Sequence, residues 1–257
     1  VLTGYEAVKE ALVNFPEEFV DRPAIPIFEE IQHGNGVFFS TGELWRTTRR
    51  FTMSTMRNLG MGKQMMEEKI FEELHFLTEM IKSHREKVQE EIGRVVEPGS
   101  RATYEDRRRM PFTNAVIHEV QRFITLLPHV PRCTAVDTHF RGYLIPKGTT
   151  VIPSLTSVLL DKTQWETPYE FNPNHFLDTN GKFVKKDAFL AFSSGRRNCI
   201  GESLAKMELF LFFVGLLQTF TFRAPPGVAE SDLDLTVPET TFTLRPRPQS
   251  TWAVLRK

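Results

Sequence analysis

The segment Phe192-Ser193-Ser194-Gly195-Arg196-Arg197-Asn198-Cys199-Ile200-Gly201 holds the residue types in this chain best able to do chemistry. Gly195 permits a tight backbone turn, and Gly201 lets a flat group approach the main chain closely. Arg197 sets a fixed positive charge near the Cys199 sulfur. The apolar run after Gly201 reads as a helix whose amide-rich N-terminus points back at that sulfur. A cation and a helix N-terminus both favour thiolate over thiol. A thiolate on a glycine-bounded loop is a nucleophile or a metal ligand; the bland alternative is a lone cysteine packed as an inert hydrophobe. A nucleophile needs a neighbouring base, usually His, and the 7 histidines are scattered along the chain.

Other pairs stand at helical spacing. Glu119 and Arg122 are neighbours on one helix face, beside an apolar stripe of Val116, Val120 and Phe123. Taken alone they read as a surface ion pair, because a carboxylate at the edge of an apolar stripe is costly to bury without a partner. Trp45 and Arg49 lie one turn apart on one face, which by itself describes a packed Trp beside a solvated Arg.

These residues need elements to position them. Tyr5 to Asn14 reads as a short helix stopped by Phe15-Pro16, and Asp21 to Phe39, rich in Pro, Gly and polar residues, reads as a long loop. Glu43 to Met56 is helical. Lys63 to Val96 has helical patterning throughout with no internal cap. Pro111 opens the next helix as a first-turn proline. Ile145 to Ile152 reads as strand around the turn Pro146-Lys147-Gly148, Trp165 to Phe183 as loop, and Gly201 to Phe220 as a strongly apolar helix. Leu233 to Val254 alternates like a hairpin turning near Pro238-Glu239. The fold class is mainly α with a minor β-sheet.

With 257 residues and 40% hydrophobic content the chain can bury a sizeable core. Lys+Arg and Asp+Glu balance at 32 each, so net charge gives no sign of nucleic acid. Cys133 and Cys199 are the only cysteines, which excludes a disulfide framework and a four-cysteine zinc site and makes a reducing compartment the default. The longest apolar run, Leu209 to Leu217, is too short to span a bilayer. The chain opens at Val1 within a helix-like pattern, so the expectation is that a segment precedes it.

The decamer around Cys199 resembles the heme-binding signature of the cytochromes P-450, Phe-x-x-Gly-x-Arg-x-Cys-x-Gly, at Phe192, Gly195, Arg197, Cys199 and Gly201. Glu119 and Arg122 resemble that family's Glu-x-x-Arg pair, which a basic residue from a Pro-rich loop joins. Here the loop is Phe171 to Phe176, and His175 stands where many members carry Arg, a variant that fits vertebrate family 2. Trp45 and Arg49 resemble a pair that bonds a heme propionate, and Arg132 in Pro131-Arg132 resembles another propionate contact. Asn114 to Arg122 and Val158 to Leu177 look most like subfamily W of family 2. The resemblance implies a single P-450 domain over 1–257 with heme b held axially by Cys199. It gives Glu119, Arg122 and His175 a structural role, holding the meander that leads into the cysteine loop. It also implies oxidation of lipophilic small molecules with O2, electrons from NADPH-cytochrome reductase docking near Arg46, Arg50 and Lys206, and residence at the endoplasmic reticulum membrane. Substrate-facing positions would lie in Ile25 to Phe38, Leu126 to Cys133 and near Thr240-Thr241.

One departure stands out. The family's long distal helix, with its acid or amide beside a Thr, has no counterpart, so no catalytic residue beyond the heme is identified. Trp45 and Glu119 are closer in sequence than in a full-length member. The expected fold is therefore truncated, with an internal junction near Ser83-His84. The alternative function is a non-catalytic splice or fragment product with weak or no heme binding; a cysteine-nucleophile hydrolase is the rival from another class.

Overall fold

The computed structural model describes residues 1–58, 84–223, 238–240, 244–246 and 252–256. In chain order its α-helices are α1 (Tyr5–Lys9), α2 (Pro26–Gln32), α3 (Gly42–Asn58), α4 (Arg85–Val95), α5 (Pro111–Ile124), α6 (Leu155–Leu159) and α7 (Glu202–Thr219). Its strands are β1 (Arg132–Cys133), β2 (Thr138–Phe140), β3 (Tyr143–Ile145), β4 (Thr150–Val151), β5 (Phe220–Arg223), β6 (Pro238–Thr240), β7 (Leu244–Pro246) and β8 (Trp252–Leu255). The chain forms two compact units, one of Val1–Met61, Leu127–Trp165 and Ala188–Ile200, the other of Gly62–Leu126, Glu166–Asp187 and Gly201–Lys257.

In the first unit, α1 widens into one π-helical stretch, Glu10–Asn14. Ala11, Phe19, Phe140 and Val151 form a small core there. Phe140 meets Phe15 and Phe19 edge-on, with ring centroids 5.5 and 5.3 Å apart, the geometry that ring quadrupoles favour. Strands β1 and β4 pair antiparallel with Arg132 opposite Val151, and β2 pairs with β3. Ser154 caps α6 by accepting from the Ser157 amide, and the backbone of α1 is tied down by Gly4 N to Ser157 Oγ (2.8 Å) and Tyr5 N to Asp161 Oδ2 (2.9 Å). Of α3 only Trp45 is fully buried.

In the second unit, α4, α5 and α7 enclose a core that includes Val88, Ile92, Met110, Val116, Phe210 and Phe213. From Leu209 to Leu217, α7 is apolar on every side, as suits a helix with packed neighbours around it. The buried Glu91 of α4 accepts from the free amides at the start of α5, Phe112 N (3.2 Å) and Thr113 N (2.7 Å), and from Thr113 Oγ1 (2.6 Å). A carboxylate at that helix start satisfies orphan donors and faces the positive end of the dipole.

His118 of α5 is half-buried; its Nδ1 bonds the Asn114 carbonyl at 2.8 Å, and its ring lies against Phe176 and Phe183. Burial pushes its pKa down to about 4, assisted by Lys206, Arg107 and Lys185 and opposed by the Asn114 carbonyl. Unfolded, the ring titrates near 6.5, so between pH 6.5 and 4 the unfolded chain binds the extra proton. Stability is therefore full above pH 6.5 and falls as pH drops toward 4, by about 3 kcal/mol in all. Urea midpoints at pH 7 and pH 5 read this loss, and His118→Phe flattens the slope; an equal slope in the variant would refute it.

Several sequence expectations change. Asp21 to Phe39 is not wholly loop: α2 forms inside it, opened by Pro26 at its first turn and closed by left-handed His33. None of its residues is buried, but Ile27, Phe28 and Ile31 stand at helical spacing, and with Pro26 in the first turn that pattern could have found it. The strand reading of Ile145 to Ile152 splits, because β3 and β4 take different partners across the turn. Pro238 and Glu239 are not a turn: they lie in β6, opposite Pro246 and Arg245 of β7, while β8 pairs with β5. Alternation identifies strands without saying which runs pair. Lys63 to Ser83, and with it the expected junction at Ser83, lies outside the described residues; α4 starts directly after His84. Thr241 lies outside them too.

Candidate functional site

The cysteine loop belongs to the first unit. Ser193 and Gly195 take positive φ, 61° and 72°, and Gly195–Arg197 makes a 3-10 turn. The Cys199 amide donates to the Phe192 carbonyl at 2.9 Å and Asn198 N to the Gly195 carbonyl at 3.1 Å, so the loop closes on itself and leaves Cys199 exposed. A Cβ on Gly195 would stand 1.8 Å from the Leu12 carbonyl oxygen. The glycine is needed for that approach as well as for the turn.

Arg197 turns inward. Its Nε donates to the Val20 carbonyl (2.7 Å) and its Nη2 to the Ser40 carbonyl (2.7 Å), and its guanidinium lies 3.8 Å from the Trp45 ring centroid. Arg49, one turn beyond Trp45, donates from Nη2 to Asn198 O (3.1 Å) and Oδ1 (2.7 Å), bracing the residue beside the cysteine. Arg132 Nη2 donates to Ser193 Oγ at 3.0 Å. Arg22 donates to the Phe38 carbonyl (3.0 Å) and the Pro131 carbonyl. The structure thus gathers Trp45, Arg49, Arg132, Phe192, Gly195, Arg197 and Cys199 in one unit.

The electrostatics are those of crowded cations. Burial and Arg22 push Arg197 down to about 9, against the pull of Asp21; burial and Arg49 push Arg22 down to about 10. Burial followed by Arg22, Arg197 and Arg49 drives Arg132 well below its ordinary value. Burial lowers Arg49, while the charge of Cys199 opposes this. None of the four forms an ion pair with a carboxylate among the described residues. Two buried donors, Arg132 Nη1 and Trp45 Nε1, have no hydrogen-bond partner among the described residues. Such groups are costly unless a ligand satisfies them.

Arg22 was not singled out from sequence. It sits in the loop before Pro23, and nothing in Asp-Arg-Pro distinguishes a guanidinium buried to 7% exposure from a solvated one. The surface cations Arg46 and Lys206 have local partners: Arg46 pairs with Glu17 and Glu43, both 3.6 Å away, and Lys206 with Glu202 at 2.7 Å.

Gly201, Glu119, Arg122 and His175 belong to the second unit. Gly201 caps the start of α7. The surface reading of Glu119 and Arg122 fails, since both side chains are fully buried. Arg122 bonds both carboxylate oxygens (2.8 and 2.7 Å) and the carbonyls of Pro168 (2.8 Å) and Glu170 (2.9 Å). Glu119 also accepts from Asn172 N at 2.8 Å. His175 Nε2 accepts from the Thr167 amide at 3.1 Å, which puts the ring proton on Nδ1, facing Glu119 Oε1 at 3.2 Å.

The first unit's residues fit a heme. Its two propionates would meet the unneutralised guanidiniums and the two orphaned donors, and planar guanidinium forks suit carboxylates. Among the described residues no cluster of three or more His, Cys, Asp or Glu could hold a metal ion.

A mainly helical protein presenting one exposed cysteine beside inward-facing arginines without carboxylate partners is what a heme-thiolate protein needs. A sequence model described as Cytochrome P450 matches residues 1–86 and 76–251. The chain is 35% identical to human cytochrome P450 2W1 over 413 residues, covering 100% of this chain and 84% of the relative. Mouse cytochrome P450 2W1 matches at 35% with the same coverage, and cytochrome P450 2K1 of Oncorhynchus mykiss at 34%, covering 100% and 82%. The chain belongs to the cytochrome P450 family, with its relatives in family 2, a family of heme monooxygenases. The human alignment exceeds this chain's length by 156 positions (413 less 257), so an internal block of the relative has no counterpart here. No helix among the described residues is long and apolar enough to cross a membrane.

Proposed function

We propose that this chain holds heme b through Cys199 and, as a single incomplete P-450 domain, oxidises lipophilic small molecules using O2 and electrons from NADPH-cytochrome reductase. The observation that carries the reading is the set of four unneutralised arginines and two orphaned donors in the unit that presents Cys199. Trp45, Arg22, Arg49, Arg132 and Arg197 bind and orient the two carboxylates. Gly195 and Arg197 hold the loop, and the Arg49 bonds to Asn198 fix the residue next to the sulfur. Phe192 supplies apolar surface. When bound, heme supplies the oxygen chemistry, and the Cys199 thiolate donates electron density to it. In the second unit Glu119, Arg122 and His175 hold the Pro168–Phe176 meander. We further propose residence at the endoplasmic reticulum membrane, a reading that rests on the resemblance to family 2.

The test is the ferrous–CO difference spectrum of the purified chain loaded with heme. The expected result is a Soret band at the thiolate-ligated position, abolished by Cys199→Ser. An unchanged spectrum in that variant would overturn the ligand assignment. A thiolate band without turnover of any lipophilic substrate on adding the reductase would keep the heme site and overturn the monooxygenase activity.

A further inference from the structure

We propose that the Arg22–Arg49–Arg132–Arg197 cluster of the heme-free chain is a binding site for an inorganic phosphate dianion, which must leave before heme can load. The phosphate site rests on the geometry of the cluster alone, and the competition with heme rests on the proposed function.

The cluster is built of fixed groups. Arg22 and Arg197 are each held by two or more backbone carbonyls, Arg49 by Asn198, and Arg132 by Ser193. Carbonyls and hydroxyls satisfy hydrogen bonds without cancelling charge. Four cations are therefore held together, with Asp21 acting on Arg197 and the charge of Cys199 on Arg49. Arg132 and Trp45 are 1% and 4% exposed, and each still offers a donor with nothing among the described residues to receive it. A pre-positioned set of N–H donors with excess positive charge is the requirement for a tetrahedral oxyanion. Phosphate brings four acceptor oxygens and two negative charges in a volume far below that of a porphyrin. Trp45 and Arg49 also line an open depression of about 410 Å³ with Arg46, Arg50, Met53 and Arg196. Chloride carries charge but only one acceptor centre, so it should occupy the site poorly. Exposed arginines such as Arg108, 72% accessible at its side chain, attract phosphate only through screened charge.

The experiment is calorimetric titration of the purified, heme-free full chain with sodium phosphate at constant ionic strength, chloride replacing phosphate in the control. We expect one saturable class of site for phosphate and none for chloride. Arg132→Gln should raise the phosphate Kd at least tenfold, and Trp45→Phe, which removes only the indole donor and keeps the ring, several-fold. Arg108→Gln should leave it unchanged. In a parallel Soret titration, the heme concentration at half-saturation should rise in proportion to phosphate at saturating levels. Heme loading without saturable phosphate binding overturns this proposal and leaves the functional reading standing. Phosphate binding with no heme uptake does the reverse. Phosphate binding that Trp45→Phe and Arg132→Gln leave unaltered places the anion elsewhere and overturns the assignment; should Arg132→Gln fail to fold, Trp45→Phe alone decides.

Discussion

Gly195→Ala is expected to lower stability by about 3 kcal/mol, from a left-handed backbone that costs an alanine roughly 1–2 kcal/mol and a steric conflict of similar size. Gly195 sits at φ +72°, and its added Cβ would lie 1.8 Å from Leu12 O and 2.8 Å from Leu12 C. Both opposing atoms are backbone, so no side chain can swing aside. Neither partner yields easily. Leu12 is 4% exposed within the π-helical stretch, and the loop is tethered two residues on by the Arg197 bonds to Val20 and Ser40. For a chain of this size the loss corresponds to a fall in Tm of roughly 10 °C. It should also free the loop, so Cys199 should react with a thiol reagent at a changed rate. Gly93→Ala supplies the contrast: that glycine lies inside α4 with nothing within 4 Å of a new Cβ, and the change should stabilise by about 0.5–1 kcal/mol. Equal thermal midpoints for Gly195→Ala and the parent chain would remove the close approach from the account.

The same residue shows where sequence reading reaches its limit. That the loop needs glycine at 195 is legible, because a signature with a glycine before a cysteine calls for a turn. That Leu12 presses on it is not, since no local pattern links two segments so far apart in the chain. Helix starts were readable wherever capping chemistry marked them, as at Pro111, and the apolar character of α7 announced a buried helix. The sheet was readable only as scattered strands: pairing of β5 with β8 or β1 with β4 is set by chain paths that alternation does not encode. Within the site, Trp45, Arg49, Arg132 and Arg197 were found through resemblance, whereas Arg22, which completes the cluster, carries no signal in its neighbours. Burial of Glu119 cannot be read from its own helix, for the converse reason. A helical wheel places it beside the apolar stripe, and only the arrival of Pro168 to His175, with its carbonyls, amide and imidazole, makes a buried charge tolerable there.

That dependence makes Arg122→Met the second large-effect change. Removing the guanidinium leaves the Glu119 carboxylate buried beside the Asn172 amide and the His175 ring, and strips the Pro168 and Glu170 carbonyls of their donor. Breaking a fully buried ion pair on one side costs about 3–5 kcal/mol, chiefly through the uncompensated charge. Set against a domain stability of roughly 5–15 kcal/mol, that is enough to unfold a marginal chain at 37 °C. The cause can be separated from simple loss of packing. Methionine refills much of the arginine's volume, and Glu119→Gln removes the stranded charge while keeping an acceptor for Asn172. The double variant Glu119→Gln/Arg122→Met should therefore be more stable than Arg122→Met alone, by about 1–3 kcal/mol of favourable coupling. Urea denaturation of the four proteins in this cycle measures it. If Arg122→Met unfolds within 1 kcal/mol of the parent, or the double variant is the weaker of the two, the buried charge is not what holds the meander to α5.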